Sequence, residues 1–195
     1  MGATAGDEKR LIDEAKKGDA RAFATLVRRY ERQVFGIARG ITRQNEDAWD
    51  VSQEAFLRAF RGLDSFKGDS SFYTWLYRIT VNLALDCLHK RGRAPQCSFD
   101  DEPNLDDQAL DWDGVKMNGP ALDALDRREL AEKLALAIET LSPVQRAVIT
   151  LREVEELSYK EIADVMNCNI GTVMSRLFHA RLNLQKQLAD YLEGQ

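Results

Sequence analysis

Apolar side chains in the first half of the chain recur every three or four positions, the period of a helix that buries one face. Phe23, Leu26, Val27, Tyr30, Val34 and Ile37 keep this spacing between Asp19, a residue suited to an N-cap, and Gly40. The same reading predicts a short helix over Leu11–Lys17 ended by Gly18, another over about Glu46–Phe60, and a fourth from Ser70 or Ser71 to about Lys90. In the second half, Leu130, Leu134, Ala137, Ile138 and Leu141 predict a helix over Asp126–Thr140. Ser142-Pro143-x-Gln145 and Ser158-x-x-Glu161 each read as a capping box, which satisfies the first backbone N–H groups of a new helix. Asn169 is a further cap, for a last helix from Ile170 to about Leu192. β-Branched residues never alternate with polar ones over a useful length, so the predicted fold class is all-α.

The helical period fails between Ala94 and Asp123. That stretch holds Pro95, Pro103 and Pro120, three of the four prolines, together with two glycines and a dense acidic run. It is too long for a structureless loop inside one compact domain. The expected division is therefore a four-helix domain over 1–93, a flexible acidic linker over 94–125, and a second helical domain over 126–195.

Charge changes the picture of what the halves bind. The net charge of −5 disfavours nucleic acid only as an average. Residues 1–93 carry 17 basic and 13 acidic side chains, a net of +4, whereas 94–125 carry −7 and 126–195 carry −2. From Met166 to Gln187 there are basic residues and no acids. Local sign steers a protein onto DNA more than the total does.

Other classes find little support. No apolar run approaches bilayer length and the N-terminus lacks an apolar signal core, so a cytoplasmic chain is expected. Cys87, Cys97 and Cys168 do not form a disulfide framework. Cys87-x-His89 with Cys97 lacks an adjacent fourth zinc ligand, and helix-buried thiols are the better account. No P-loop, nucleophile elbow or zinc-protease motif appears, and His89 and His179 lie in different halves. No enzymatic activity, cofactor, metal or small-molecule substrate is expected.

Three constellations could carry function. Helix, short turn and helix over Ser158–Leu184 have the proportions of a helix-turn-helix. At about 100° per residue, Val173, Leu177, Ala180 and Leu184 face inward. Gly171, Ser175, Phe178 and His179 lie opposite, with Met174 and Arg181 on one flank and Thr172 and Arg176 on the other. Such a helix suits the major groove, with Arg176 and Arg181 on phosphates; an ordinary helical hairpin with a solvated face remains the plainer account. Over Glu46–Arg61 the inward sector is Ala48, Val51, Ser52, Ala55 and Ala59. Asp47, Asp50, Gln53, Glu54 and Leu57 form the other face, either a docking site for a basic helix or simply a solvated surface. In the helix after Ser71, Phe72, Leu76, Ile79 and Leu83 form a core stripe. Tyr73, Trp75 and Tyr77 are then surplus rings, which either complete the core or stack on bases.

In order along the chain, GDARAFATLVRRYERQVFGIA, DAWDVSQEAFLRAFRGLDSFKGDSSFYTWLYRITVNLALD and LSPVQRAVITLREVEELSYKEIADVMNCNIGTVMSRLFHARLNL resemble bacterial sigma factors of the extracytoplasmic-function (ECF) type. The resemblance implies a two-domain all-helical initiation factor whose first domain reads and melts the −10 element and whose second reads the −35 duplex. It implies that Asp47, Asp50, Gln53, Glu54 and Leu57 bind the β′ clamp helices of core RNA polymerase. Trp49 stands where the family usually has an acid. The loop Arg61–Ser71, with Gly62 and Phe66, would join Asn82 in cradling a base flipped from the −10 strand. Tyr73 and Trp75 would face DNA or support that loop, and Arg78, Lys90, Arg91 and Arg93 would hold its backbone. Thr172, Met174, Ser175, Arg176, Phe178, His179 and Arg181 would contact the −35 duplex. Met174 and His179 stand where relatives often carry Arg or Lys, and imply an unusual −35 preference or a greater reliance on −10 contacts. The linker would follow the RNA exit path, and the second domain would meet the β flap. An anti-sigma factor, in this family often membrane-bound, is an implied partner. The rival from another class is a stand-alone helix-turn-helix regulator that dimerises on an operator.

Overall fold

The computed structural model describes residues 5–92 and 124–192; Arg93 and nearly all of the expected linker lie outside them. The first half is four α-helices, α1 (Ala5–Lys16), α2 (Ala20–Thr42), α3 (Asn45–Gly62) and α4 (Phe72–Lys90), with a short 3-10 turn over Leu63–Ser65. The start of α2 is set by Asp19, whose side chain accepts from the N–H groups of Arg21 and Ala22 at 2.8 and 3.3 Å. Its end is the left-handed Arg43, at φ 64°. Ser71 caps α4 by accepting from the Thr74 N–H.

Helices α2, α3 and α4 pack against one another, and α1 lies along α2. On α3 the buried residues are small: Ala48, Ser52, Ala55 and Ala59, with Val51. Small side chains let the backbones approach, while Leu26, Val34, Ile37, Leu76 and Val81 fill the space between. The inward sectors expected for α3 and α4 are those observed, except that Ile79 is half-buried and Tyr77 joins the core.

The second half comprises α5 (Ala124–Glu139), α6 (Pro143–Ile149), α7 (Tyr159–Met166) and α8 (Ile170–Leu192). Both capping boxes form as the sequence predicts. The Asn169 side chain accepts from the Thr172 N–H at 2.7 Å and caps α8. A π-helical turn over Thr150–Val154, which the apolar spacing does not predict, widens the end of α6 before the left-handed Glu156. Left-handed Asn167 makes the tight turn between α7 and α8, and Val173, Leu177 and Ala180 bury the inner face of α8.

No strand occurs among the described residues. The two halves do not stand apart: Leu151, Ile162, Val165 and Val173 belong to the same buried cluster as Val34, Ile37 and Leu76. In this structure α7 lies on α4 and α6 lies on α2.

Candidate nucleic-acid interface

The outer face of α3 leaves Asp50, Gln53 and Leu57 exposed, with Glu54 partly covered. Leu57 is 49% exposed, and Trp49 and Phe60 add large apolar surface at 57% and 50%. Trp49 stacks on Phe35 of α2 with ring centroids 4.6 Å apart, an aromatic pair beside the acidic positions of that face. Arg58 pairs with Glu54 at 2.8 Å, and this hydrogen bond holds the Glu54 carboxyl below its ordinary value. Asp47 departs from the expected exposed face: it is fully buried and ion-paired with Arg91. The cause is its place in the first turn of α3, against the C-terminal end of α4.

The expected −10 residues separate into three places. Phe66 is not an open platform; it is 8% exposed, its ring meeting Phe72 at 5.7 Å and Trp75 at 5.2 Å. Lys16 of α1 donates to the Phe66 carbonyl at 2.5 Å and lies over its ring. The loop therefore folds its aromatic ring back onto the start of α4. Trp75 supports that loop, since a Cβ added at Gly62 would be 3.5 Å from the indole.

Asn82 is exposed two turns further along α4, away from Phe66. It lines a groove of about 400 Å³ with Arg58, Leu85, Asp86 and His89. An adjoining groove of about 340 Å³ between α3 and α4 includes Asp50, Glu54, Arg58 and Lys90. The two grooves thus gather amide, imidazole, guanidinium and ammonium groups together with the carboxylates of Asp50, Glu54 and Asp86.

Tyr73 and Arg78 are taken up by the second half of the chain. The Tyr73 hydroxyl donates to the Glu161 carboxylate, and Arg78 Nε donates to the Asp164 carbonyl at 2.8 Å. The Glu161 hydrogen bond raises the Tyr73 pKa, while hydrogen bonds from Ser158 and Tyr73 lower that of Glu161. Tyr77 points its hydroxyl at Glu155, 3.4 Å away. Burial raises both groups, which keeps the phenol neutral.

On α8, Met174 is 42% exposed, and Thr172, Ser175, Phe178 and His179 are partly exposed. Arg176 departs from the expected phosphate-facing flank: only 3% exposed, its guanidinium lies 3.8 Å from the Cys168 sulfur. Its position borders the apolar stripe of Val173 and Leu177, so the long side chain folds inward. Arg181 bridges to Glu153 of the π turn at 2.8 Å. Sequence reasoning missed Glu155, Glu161 and Thr150 as contact residues; the signal available was a pair of glycines, Gly36 and Gly40, inside a long helix.

A helical bundle with an acidic and aromatic outer face, joined to a capped helix-turn-helix, defines a DNA-reading transcription factor. Comparison with known proteins gives the family. The family model for Sigma-70 region 2 matches residues 26–94, and that for Sigma-70, region 4 matches 131–184. The chain is 39% identical over 195 residues to the RNA polymerase sigma-H factor of Pseudomonas aeruginosa, covering 97% of each. It is 43% identical over 178 residues to the ECF RNA polymerase sigma-E factor of Escherichia coli, covering 88% of each. Among solved structures it resembles CnrH in complex with the cytosolic domain of CnrY, at TM-score 0.66 and 26% identity, covering 94% of this chain and 98% of that one. It also resembles the sigma factor RpoE in complex with the anti-sigma factor NepR from Bartonella quintana, at TM-score 0.61 and 25% identity, covering 87% and 98%. The chain belongs to the ECF-type sigma factors of bacterial RNA polymerase. It acts in transcription initiation, directing the polymerase to promoter DNA, and is not an enzyme. The dimeric operator-binding alternative is not supported, because the family match spans both halves.

Proposed function

We propose that residues 1–93 bind core polymerase and open the −10 element, that 94–125 connect, and that 126–195 read the −35 duplex. The observation that carries this reading is Leu57, half exposed among Asp50, Gln53 and Glu54 on the outer face of α3. An exposed leucine ringed by acids and amides fits a basic amphipathic helix, and the β′ clamp helices are its partner here. Trp49 on Phe35 widens that face with apolar area in place of one charge.

The groove at Asn82 receives the base extruded from the non-template strand, with Lys90 of the adjoining groove on the phosphates and Arg91 held by Asp47. Holding the flipped base offsets an unpairing cost of a few kcal/mol. Phe66 and Trp75 act beneath the loop rather than on the base. Thr172, Met174, Ser175, Phe178 and His179 face the major groove, and the second half meets the β flap. Arg176 and Arg181 reach phosphates only after leaving Cys168 and Glu153.

Two structural neighbours are complexes, one with the cytosolic domain of CnrY and one with the anti-sigma factor NepR. By that likeness this chain also has an anti-sigma partner. No described helix is long and apolar enough to cross a membrane, which fits work in the cytoplasm.

A gel shift with promoter DNA tests the reading. The chain alone should leave the duplex unshifted, and chain plus core polymerase should form a heparin-resistant complex. Leu57→Ala should weaken that complex. A sequence-specific shift without core polymerase would overturn the reading.

A further inference from the structure

The outer face of α8 is divided lengthwise by its chemistry. At about 100° per residue, Thr172, Ser175 and His179 fall along one flank, and Ile170, Met174 and Phe178 along the other. Thr172 Oγ1 donates to the capping Asn169 side chain at 3.0 Å, so the polar flank begins at the helix start. Gly171 is exposed between the flanks and puts no side chain there. On the apolar flank, Ile170 is 46% exposed and Met174 42%, one turn apart. Phe178 continues that flank but is more covered, its ring edge-on to His179 with centroids 5.5 Å apart. Val173, Leu177 and Ala180 already supply the buried stripe, so Ile170 and Met174 are left over from the core.

Charge around this pair sets what it would meet. From Met166 to Gln187 the chain carries no acid, while Arg181, on the same flank, and Lys186 are cations. A stretch of that sign favours a polyanionic partner. The N-terminal residues of a recognition helix are those that reach base edges, and both Ile170 and Met174 lie there. Base edges in a major groove present donors and acceptors with one apolar exception, the C5-methyl group of thymine. The unbranched, polarizable thioether of methionine adapts to so small a group, and β-branched Ile170 beside it is stiff.

We propose that Ile170 and Met174 read thymine methyl groups in the −35 duplex. Specificity on this helix is then set by apolar contact along one flank and by hydrogen bonding along the other. The proposal rests on the reading of α8 as the −35 helix given above, and it names what that helix recognises. Four residues advance α8 by about 6 Å, nearly two base-pair steps of roughly 3.4 Å, so the two side chains address different A·T pairs.

Deoxyuridine in place of thymidine removes each methyl and keeps every hydrogen-bonding group. The test uses the full-length chain with core polymerase, on a promoter selected by that holoenzyme and unaltered at −10. Deoxyuridine throughout the −35 element should weaken wild-type binding by about fourfold for each methyl contacted. Met174→Ala and Ile170→Ala should bind the thymidine promoter more weakly and lose part of the deoxyuridine penalty. The double variant should lose all of it. Met174→Leu, which keeps an apolar side chain, should retain the penalty. Both positions are exposed, so thermal unfolding of the variants should match that of the wild type. A selected −35 element without an A·T pair overturns the proposal, as does wild-type binding that ignores deoxyuridine. A penalty that survives intact in the double variant overturns it too. If that variant also binds core polymerase more weakly without DNA, the flank is a protein surface instead. A holoenzyme indifferent to scrambling of the whole −35 element would sink the −35 reading itself, and the proposal with it.

Discussion

Arg91, just past the end of α4, closes an ion pair on Asp47, whose carboxylate is fully buried in the first turn of α3. The pair ties together the two helices that border the proposed polymerase and −10 surfaces. Removing one partner from a buried pair leaves a charge without compensation, at about 3–5 kcal/mol. Arg91 is 41% exposed, so water screens part of this, and roughly 1–3 kcal/mol is expected for Arg91→Ala. Asp47→Asn should cost less, because the Arg91 guanidinium left without its partner is exposed to water while no charge stays buried. Urea unfolding measures both. Unchanged stability in Arg91→Ala, with only DNA affinity reduced, would make the arginine a phosphate contact instead.

Phe66 and Asn82 should part company when each is cut back. Phe66→Ala removes a ring held between Phe72 and Trp75 and should cost about 2–4 kcal/mol of folding stability. Asn82→Ala, on the exposed wall of its groove, should stay within roughly 0.5 kcal/mol of wild type. Promoter opening should show the reverse order of specificity, with Asn82→Ala selectively lowering permanganate reactivity of −10 thymines at full occupancy of core polymerase. A Phe66→Ala chain that is fully stable yet defective in opening would return Phe66 to the base.

These two residues mark how far the sequence could be read. The described helices, the capping residues Asp19, Ser142, Ser158 and Asn169, and the inner faces of α3 and of α8 as far as Ala180 follow from local rules, and the structure bears them out, while Leu184 is only half-buried. Positions at the border of a helical stripe do not follow. Arg176 and Asp47 lie where a few degrees of phase, or a neighbouring helix end, decide between solvent and core. The fate of Phe66 depended on Lys16, fifty positions away, which no periodicity encodes. The contact between the two halves was invisible for the same reason, although Gly36 and Gly40 violate helix propensity at a spacing of one turn.

Glu155 gives the contact between the two halves a pH dependence with a definite sign. Burial raises its carboxyl above the ordinary 4.5, the Tyr77 hydroxyl only partly countering this, and Gly36 of α2 forms the wall beside it. An acid with a raised pKa in the folded chain binds its proton more tightly there than when unfolded. Its contribution is therefore fully present below the ordinary value and is lost as pH rises through the folded value. Glu161 works in the opposite sense, since its lowered pKa contributes above the ordinary value and fades as pH falls. Glu155→Gln removes only the first effect and keeps an acceptor for Tyr77. Thermal unfolding should show Glu155→Gln more stable than wild type at neutral pH, with the difference closing below about pH 4.5. A difference that is constant from pH 4 to 8 would show that the carboxyl is not strained by burial.

Met174 and His179 carry the last prediction, on the −35 side. Met174 is 42% exposed on α8 and His179 partly so, at positions to which the resemblance assigns arginine or lysine. An apolar thioether and an imidazole give the major groove fewer hydrogen-bond donors than two guanidinium groups would. Selection of promoters with reconstituted holoenzyme should therefore return a −35 sequence that differs from the usual family preference, or a shorter protected −35 region. Met174→Arg with His179→Arg should shift selection toward the usual sequence. Each new phosphate contact should also steepen the salt dependence of binding, by about 0.9 in the slope of log affinity against log salt. If the wild-type chain already selects the usual sequence, and the double variant changes neither selection nor slope, these two positions do not set −35 recognition.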